Sequence, residues 1–565
     1  MDPPSTAPAT DPHELFDAAT RALSAGPDLA MLVRLEAAWR AHPSHAGLAL
    51  RLGDALQLAR RHDEAVLAYG AALRLNAMSF DAWYGMAGAQ LALGAFASAR
   101  DAAVQALGLT PGAEGVRCLL AEALFALGEV DGAAAAYRRV IGHGEPTVRD
   151  AALASLAVIV PGSGAASHEA VRATRAAWIN RAGGAIRPLP RRAAPAFTPA
   201  PVERPIKLAY MSAFFGARNW MKPVFGVINR HDRARFEIHL ISDGDDPAAA
   251  TGYIEHAEDR IWQVKGMANG ALARAIAAAG VDVLVDLNGY SLAGRLGVFP
   301  FRPARFQLGW FNMFATTGVP GMDALVGDAA AVLPTEEAFY SERILRVPGS
   351  YLAFQVPYAT PAVTASPWLS HGVPTLGCLG SAYKQTRETL DAWTAILRAV
   401  PAARLHVANP NLGEESNRAD LLGRLAARGI AEDRVTLAGR AEHFDFLRGY
   451  GGIDIALDTF PYNGGTTTTE ALWQGVPVLT TEGERWAGRT SRSLLLAAGL
   501  GDWVARDLAG FVATAIALLN DPATPARLAN LRATMRERLL ASAACDSSGL
   551  CAALEAIYTD GLAGA

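Results

Sequence analysis

The sequence predicts an α + α/β protein in which a superhelix of helical repeats precedes two Rossmann-like domains. Two observations carry this prediction. Small and aromatic residues recur with a fixed period of 34 positions in the first part of the chain. Beyond residue 206, short apolar strands alternate with helical segments in two successive series. A fixed period is typical of stacked helical hairpins, and apolar strands alternating with helices are typical of parallel sheets covered on both faces.

Three repeat units start near residues 46, 80 and 114, after a degenerate unit from about residue 12. The small residues should let the two helices of a hairpin approach closely, while the aromatic residue fills the gap to the next hairpin. This spacing resembles the tetratricopeptide repeat, whose arrays usually bind proteins or peptides. An alanine-rich helical bundle is the alternative. The recurring positions of the three units are Gly53, Ala65 and Tyr69; Ala87, Ala99 and Ala103; and Ala121, Ala133 and Tyr137.

The sequence also predicts where the domains begin and end. The repeats and further helices should occupy residues 12–182, and the stretch 183–205, rich in Pro, Ala and Arg, should be an extended linker. The two Rossmann-like halves are expected at 206–365 and 366–565. In parallel sheets of this kind, ligands bind at the carboxyl ends of the strands, so we expect the site in a cleft between the halves.

Each half has its own series of predicted elements. The first contains apolar strands at 206–212, 236–242 and 281–287 and a helix at 271–280. The second contains strands at 374–380, 403–409, 434–439, 454–460 and 477–481, again with helices between them.

Composition excludes several classes of protein. The 565 residues are 51% hydrophobic and 19% charged, which excludes disorder over most of the length. Lys and Arg total 51 against 55 Asp and Glu, which argues against a nucleic-acid-coating role. The four cysteines form no Cys-x-x-Cys pair, which indicates a reducing compartment. With neither a visible secretory signal nor an expected membrane helix, we expect a cytoplasmic protein.

The strongest chemical signal is DTFPYNGGTTTTEALWQGVPVLT, residues 458–480. Asn463, Gly464 and Gly465 predict a tight turn, and four threonines from Thr466 onward open a helix. Backbone N–H groups at a helix start suit a phosphate. Glu470, one turn into the helix, can accept hydrogen bonds from a ribose. An ordinary Asn-Gly turn with a Thr cap is the alternative interpretation.

A second signal is LGSAYKQT, residues 379–386, directly after a predicted strand. Lys384 should lie in the strand-to-helix loop and therefore at the cleft. A lysine there can neutralise the charge that builds up on a departing diphosphate. A solvated surface lysine is the alternative interpretation.

Together with RVTLAGRAEHFDFL (434–447) and SRSLLLAAGL (491–500), these segments resemble the bacterial O-GlcNAc-transferase/SPINDLY-like glycosyltransferases over residues 12–560. Members of that family join tetratricopeptide repeats to an inverting catalytic region of GT-B fold. The resemblance implies transfer of a sugar, by default GlcNAc from UDP-GlcNAc, to Ser/Thr hydroxyls of a protein bound by the repeats. It implies no metal or other cofactor, and no nucleic-acid or membrane partner.

The resemblance also implies a set of site residues. Lys384 with Thr466 and Thr467 would contact the diphosphate, Glu470 the ribose, and Phe446 the base by stacking. Ser381 and Gly465 stand where the family often has donors near the phosphates. The nucleotide-sugar site is therefore expected to comprise Ser381, Tyr383, Arg440, Ala441, Phe446, Asn463, Gly464, Gly465, Thr466, Thr467 and Glu470, with Lys384 and Arg218 as catalytic residues.

The first half departs from the family pattern S-x-D-F-x-x-H. In SAFFGARNWMKP (212–223), Phe214 replaces the acid and Arg218 the histidine. Arginine cannot act as a base at neutral pH, but it could hold the donor phosphates or the sugar, with Lys222 as a second cation. The alternative interpretation is that replacing the histidine by Arg218 has abolished the enzymatic activity.

The loop on the sugar side departs as well. FNMFATTG (311–318) places Phe311, Met313 and Phe314 where small residues are usual, which should reshape the sugar pocket. Two other functions therefore stay open: a SPINDLY-like protein O-fucosyltransferase using GDP-fucose, and a catalytically silent repeat scaffold with a residual nucleotide site. The DGDD segment (243–246) mimics a metal site, but we expect no metal there.

Overall fold

A computed structural model describes residues 11–183, 186–190 and 204–564. Most of the predicted linker 183–205 lies outside the described residues. Contacts divide the chain into two compact units, one formed by residues up to 152 together with 410–424, the other by the remaining residues. The predicted domain boundaries stay predictions.

The first unit contains the predicted repeats. The starts expected near 46, 80 and 114 are the first residues of α3, α5 and α7, so the period of 34 residues is confirmed as a series of helical hairpins. The helices are α1 (Pro12–Leu23), α2 (Leu29–Ala41), α3 (Ala46–Leu58), α4 (His62–Leu75), α5 (Phe80–Leu93), α6 (Phe96–Leu109), α7 (Glu114–Ala126) and α8 (Val130–His143).

The recurring residues form the core of these hairpins. Gly53, Ala87 and Ala121 are buried, as are the alanines and aromatic residues that follow them in each unit. The hydroxyl of buried Tyr69 donates to Oδ1 of Asp54 at 2.8 Å, which satisfies the one polar group of that ring inside the repeat core. Side-chain size at these positions therefore sets how closely the hairpins stack.

The second unit begins with α9 (Pro146–Ile159), whose first turns still belong to the repeats, and α10 (His168–Gly183). Its first parallel sheet has the order β3-β2-β1-β4-β5-β6-β7, and helices α11 (Lys222–Ile228) and α12 (Asn269–Ala279) connect some of the strands. The strands are β1 (Ile206–Ser212), β2 (Phe236–Ser242), β3 (Arg260–Gln263), β4 (Val283–Asp286), β5 (Phe306–Gly309), β6 (Ala324–Asp328) and β7 (Arg343–Val347).

The second parallel sheet has the order β10-β9-β8-β11-β12-β13. Its strands are β8 (Thr375–Cys378), β9 (Arg404–Ala408), β10 (Val435–Ala438), β11 (Ile455–Leu457), β12 (Val478–Thr481) and β13 (Val504–Ala505). The helices of this half are α13 (Pro367–His371), α14 (Arg387–Ala399), α15 (Glu415–Ala426), α16 (His443–Gly449), α17 (Thr466–Trp473), α18 (Thr490–Ala497), α19 (Leu508–Asn520), α20 (Thr524–Leu540) and α21 (Ser547–Ala563).

Helical repeats followed by two parallel α/β halves confirm the predicted fold class. The two halves share a hydrophobic core, in which the rings of Tyr351 and Trp486 lie 5.4 Å apart. Strands β1 and β2 have the predicted bounds, whereas β3, β5, β6 and β7 were not predicted. Among the described residues we find no helix whose length and apolar character would let it span a bilayer.

One helix of the C-terminal half packs with the repeats. Asn417 on α15 accepts a hydrogen bond from the backbone N–H of Ala97 at 3.0 Å and donates to the carbonyl of Gly94 at 2.8 Å. Arg100 on α6 forms an ion pair of 2.7 Å with Asp420. The segment 410–424 is therefore part of the repeat unit, although most of that unit comes from the first 152 residues.

Candidate nucleotide-sugar site

Two signals from the sequence meet where neighbouring parallel strands end. β8 and β11 pair in parallel, so the loop with Lys384 and the turn with Asn463 leave the same edge of the sheet. The ammonium of Lys384 donates to the backbone carbonyl of Asn463 at 2.7 Å. Helix α17 begins three residues later, at Thr466. A cation and a helix N-terminus therefore lie side by side.

The surroundings of Lys384 lower the pKa of its ammonium group. Its Nζ lies 4.3 Å from the centroid of the Tyr462 ring, and the side chain is half-buried. Burial lowers the pKa of Lys384 to about 8, an effect that the nearby carboxylate of Asp458 opposes. The lysine is therefore mostly cationic at neutral pH, but close to its titration range.

The turn before α17 is held by Asp458. Its carboxylate accepts hydrogen bonds from the backbone N–H of Gly464 at 2.9 Å and from the Thr480 hydroxyl at 2.6 Å. The side-chain amide of Asn463 donates to the carbonyl of Gly488 at 2.8 Å, while its buried side-chain oxygen has no hydrogen-bond partner among the described residues. The Asn463 side-chain oxygen is therefore able to accept a hydrogen bond from a ligand.

The threonines of α17 divide into two pairs. Thr466 and Thr467 are half-buried, whereas Thr468 and Thr469 are buried, and Gly465 is the residue before the first helical turn. A small cavity of about 30 Å³ has Lys384, Gly464 and Thr467 among its lining residues. Two of the three predicted diphosphate residues, Lys384 and Thr467, thus line one cavity, and Thr466 is not among its lining residues.

Glu470 forms a buried ion pair with Lys222 of the other half. The ammonium of Lys222 donates to the carboxylate at 3.2 Å, and the two side chains are only 3% and 2% exposed. Burial raises the pKa of Glu470, and the positive charge of Lys222 opposes that shift. The carboxylate expected at the ribose is therefore already charge-balanced, which the sequence analysis did not predict.

The residues expected around the base lie in and before α16. Phe446 is half-buried and packs edge-on against Tyr450 at 5.7 Å between ring centroids. The Tyr450 hydroxyl donates to the carbonyl of Thr467 at 3.0 Å, which connects the stacking position to α17. Arg440 and Ala441 are exposed. They are therefore accessible, but the described contacts do not bring them together with Lys384.

Ser381 and Tyr383 flank the lysine loop. Ser381 is exposed, and its side chain hydrogen-bonds Tyr383. The rings of Tyr383 and Tyr462 pack at 6.1 Å between centroids. Tyr383 therefore supports the ring against which Lys384 lies.

Arg218 occupies the loop after β1, where the family pattern has a histidine. Its guanidinium carbon lies 5.7 Å from the Tyr358 ring and 5.6 Å from the Phe444 ring, at the distance of cation–π contacts. The Tyr358 hydroxyl also shares a hydrogen bond of 2.9 Å with His443 on α16. Arg218 thus reaches toward the helix that carries Phe446, and it offers a fixed positive charge there.

Two groups of residues bear on metal binding. Asp243, the first residue of DGDD, accepts a hydrogen bond of 2.8 Å from Arg295, so its carboxylate has a cationic partner within the protein. Within the described part of the chain, His231, Cys551 and Glu555 have ligand atoms close enough to hold a metal ion. His231 lies 324 residues from Glu555, so no local spacing could have indicated that group, and it contains none of the predicted site residues.

Comparison with known proteins identifies the family. The sequence profile described as glycosyl transferase family 41 matches residues 195–355 and 377–554. The chain belongs to this family. The match includes Lys384, Arg218 and every other residue predicted for the nucleotide-sugar site, and it confirms the family resemblance found in the sequence.

Two named plant proteins are similar to this chain. It is 31% identical over 361 residues to the tomato (Solanum lycopersicum) protein named probable UDP-N-acetylglucosamine--peptide N-acetylglucosaminyltransferase SPINDLY, which covers 63% of this chain and 38% of that protein. It is 29% identical over 342 residues to the Arabidopsis thaliana protein named probable UDP-N-acetylglucosamine--peptide N-acetylglucosaminyltransferase SEC. That alignment covers 58% of this chain and 34% of the Arabidopsis protein. The chain thus spans less than half the length of these relatives.

A solved structure resembles nearly the whole chain. A mutant of the O-GlcNAc transferase of Thermobaculum terrenum superposes with a TM-score of 0.74 at 26% sequence identity, over 99% of both chains. The similarity therefore extends over the repeats as well as the two α/β halves.

Proposed function

We propose that this member of family 41 is an inverting glycosyltransferase. It moves a sugar, by default GlcNAc from UDP-GlcNAc, onto Ser/Thr hydroxyls of protein acceptors that the repeats bind. The observation that carries the proposal is the contact of 2.7 Å between the Lys384 ammonium and the Asn463 carbonyl at the start of α17. The names of the plant relatives and of the Thermobaculum terrenum enzyme support the choice of donor and acceptor.

In this mechanism the departing diphosphate is stabilised by charges that are already in place. The bond from the anomeric carbon of the sugar to the diphosphate oxygen breaks, and the oxygen of the acceptor hydroxyl forms the new bond from the opposite face. The proton of that hydroxyl passes to an oxygen of the departing diphosphate. Lys384, the hydroxyls of Thr466 and Thr467 and the N-terminus of α17 face the negative charge that develops on the leaving oxygen. This assignment needs no divalent ion, so we expect transfer to be insensitive to chelators.

The nucleoside is assigned to the residues beyond the turn. Phe446 stacks on the base, Arg440 and Ala441 border it, and Glu470 accepts from the ribose while Lys222 balances its charge. Arg218, always cationic, would hold a donor oxygen and would not act as a base. The cytoplasm is the proposed location, because nucleotide sugars are made there and a reducing compartment suits the cysteine pattern.

The test is calorimetric titration with UDP, UDP-GlcNAc, UDP-glucose and GDP-fucose. We expect UDP and a UDP-sugar to bind the wild type and to bind Lys384→Ala at least tenfold more weakly. Lys265→Ala is the matched control, because Lys265 is an exposed lysine outside the site, and its affinities should equal those of the wild type.

Each other outcome has a definite meaning. Preferential binding of GDP-fucose would identify a fucosyltransferase and reject the default donor. Nucleotide binding without sugar transfer to any protein would identify a silent scaffold. If no nucleotide binds, the transferase proposal fails, and the repeats become the functional part of the molecule.

A further inference from the structure

The loop of residues 311–318, which follows β5, has an unusual backbone. Phe311 and Phe314 adopt φ angles of 79° and 57°. Left-handed backbone is rare for bulky residues, and it persists only where the surroundings hold it in place. Two such residues within four positions therefore indicate a loop whose conformation is imposed by its neighbours.

The first end of the loop is fixed by the segment after β4. The side-chain amide of Asn312 donates to the carbonyl of Asn288 at 2.8 Å and to the hydroxyl of Ser291 at 2.8 Å. The carbonyl of Asn312 lies so close to Gly289 that a Cβ there would be only 2.1 Å from the oxygen. Only glycine permits this approach, so the backbone of the loop is seated directly on the backbone after β4.

The second end is fixed by a buried carboxylate. Glu342 accepts hydrogen bonds from the Thr316 hydroxyl at 2.7 Å and from the backbone N–H of Thr317 at 2.8 Å, and also from the Thr317 hydroxyl. All three side chains are buried. A buried carboxylate bound by three donors is strongly stabilised, so this end of the loop is rigid.

Helix α10, which precedes the catalytic halves, also supports the loop. Arg175 donates to the carbonyl of Thr316 at 2.8 Å, and its guanidinium lies 3.7 Å from the centroid of the Tyr290 ring. Gly318 has a φ of 68°, and a Cβ there would lie 2.8 Å from the backbone nitrogen of Ala176. The helix and the loop are therefore in backbone contact.

One side chain of this rigid loop is accessible. Every side chain from 311 to 317 is buried except that of Phe314, which is half-buried. Its ring packs edge-on against Tyr462 at 5.2 Å between centroids, and Tyr462 is the ring against which the Lys384 ammonium lies. The proposed function assigns Lys384 to the diphosphate, so only the ring of Tyr462 separates Phe314 from that position.

We propose that Phe314 is the residue that determines which donor sugar the enzyme accepts. The inference rests on the proposed function. The ring is an apolar surface on a loop whose backbone is held at both ends, so the position from which it projects is fixed. The ligand is a nucleoside diphosphate hexose. Phe314 discriminates between hexoses, and the nucleotide is bound by the residues assigned to it above.

The test compares the affinities of UDP, UDP-glucose and UDP-GlcNAc for Phe314→Asn, Phe314→Tyr and the wild type. Asparagine tolerates left-handed backbone, so the Asn variant removes the ring without adding strain. Phe314→Tyr keeps the ring and should match the wild type. Phe301→Asn removes another half-buried phenylalanine of the same half and is the matched control.

We expect Phe314→Asn to bind UDP within about twofold of the wild type, while the ratio of its affinities for UDP-GlcNAc and UDP-glucose changes by about fivefold or more. An unchanged ratio would overturn the inference and leave the proposed function intact. Loss of UDP binding in Phe314→Asn would also overturn it, because the ring would then support the whole site. Failure of the wild type to bind UDP would instead reject the proposed function itself.

Discussion

The lowered pKa of Lys384 predicts how nucleotide binding depends on pH. Burial lowers that pKa to about 8. If the ammonium holds the diphosphate, only the protonated form of the lysine binds UDP well. Affinity should therefore be nearly complete at pH 7 and fall as the pH rises through 8, in a range where an exposed lysine would still be fully charged.

The magnitude follows from the fraction of protonated lysine. One unit below the pKa about nine tenths of the molecules carry the proton, and one unit above it about one tenth do. Between pH 7 and pH 9 the affinity for UDP should thus fall about tenfold, which corresponds to about 1.4 kcal/mol of binding free energy. The assay is calorimetric titration of UDP at half-unit steps of pH, in buffers of equal ionic strength.

A matched variant separates this lysine from other groups that titrate. Lys384→Arg keeps a positive charge across the whole range, so its affinity, although lower because the geometry differs, should not change between pH 7 and pH 9. A wild-type affinity that is constant over that range, or a decline of equal size in Lys384→Arg, would refute the assignment of the ammonium to the diphosphate.

Further predictions concern stability and metal dependence. Glu470→Leu should lower the free energy of unfolding by about 3–5 kcal/mol, because it leaves Lys222 buried without its partner, and adding Lys222→Met should restore most of the loss in chemical denaturation. Tyr69→Phe should destabilise the repeats by about 1–2 kcal/mol, measured by thermal melting, because Asp54 loses a buried donor; an unchanged melting temperature would contradict this. Arg175→Met should lower the free energy of unfolding by about 1–3 kcal/mol for each carbonyl left without a donor. It should also weaken the binding of UDP-sugars more than the binding of UDP. Equal weakening of both would contradict a role of Arg175 in supporting the loop 311–318. EDTA should leave UDP affinity unchanged, and a loss restored by Mg²⁺ would contradict the metal-free assignment.

The parts of the fold that sequence reasoning predicts are those with local signals. The helix starts at Ala46, Phe80 and Glu114 follow from a fixed period, and β1 and β2 are mostly apolar segments with the expected bounds. β5 has only four residues, and β7 has an arginine at two of its five positions, so neither shows the long apolar run by which a buried strand is recognised in a sequence.

The same distinction holds for the candidate site. Lys384 and the turn at Asn463 each follow a strand, so the general rule for parallel sheets places both at one edge. The pair of Lys222 and Glu470 spans 248 residues and both α/β halves, so no local pattern could have indicated it. The contact of Phe314 with Tyr462 also joins the two α/β halves, so no local pattern could have indicated it. It depends on the left-handed backbone of Phe314, which is rare for bulky residues.

The packing of α15 with the repeats has a consequence for the order in which the protein can fold during synthesis. The backbone N–H of Ala97 is bonded to Asn417, which the ribosome adds 320 residues later. The repeat array must therefore wait, with part of its surface uncovered, until most of the catalytic region has been made. A fragment cut at the linker would lack this helix, so we expect its repeats to be less stable than the repeats of the full chain.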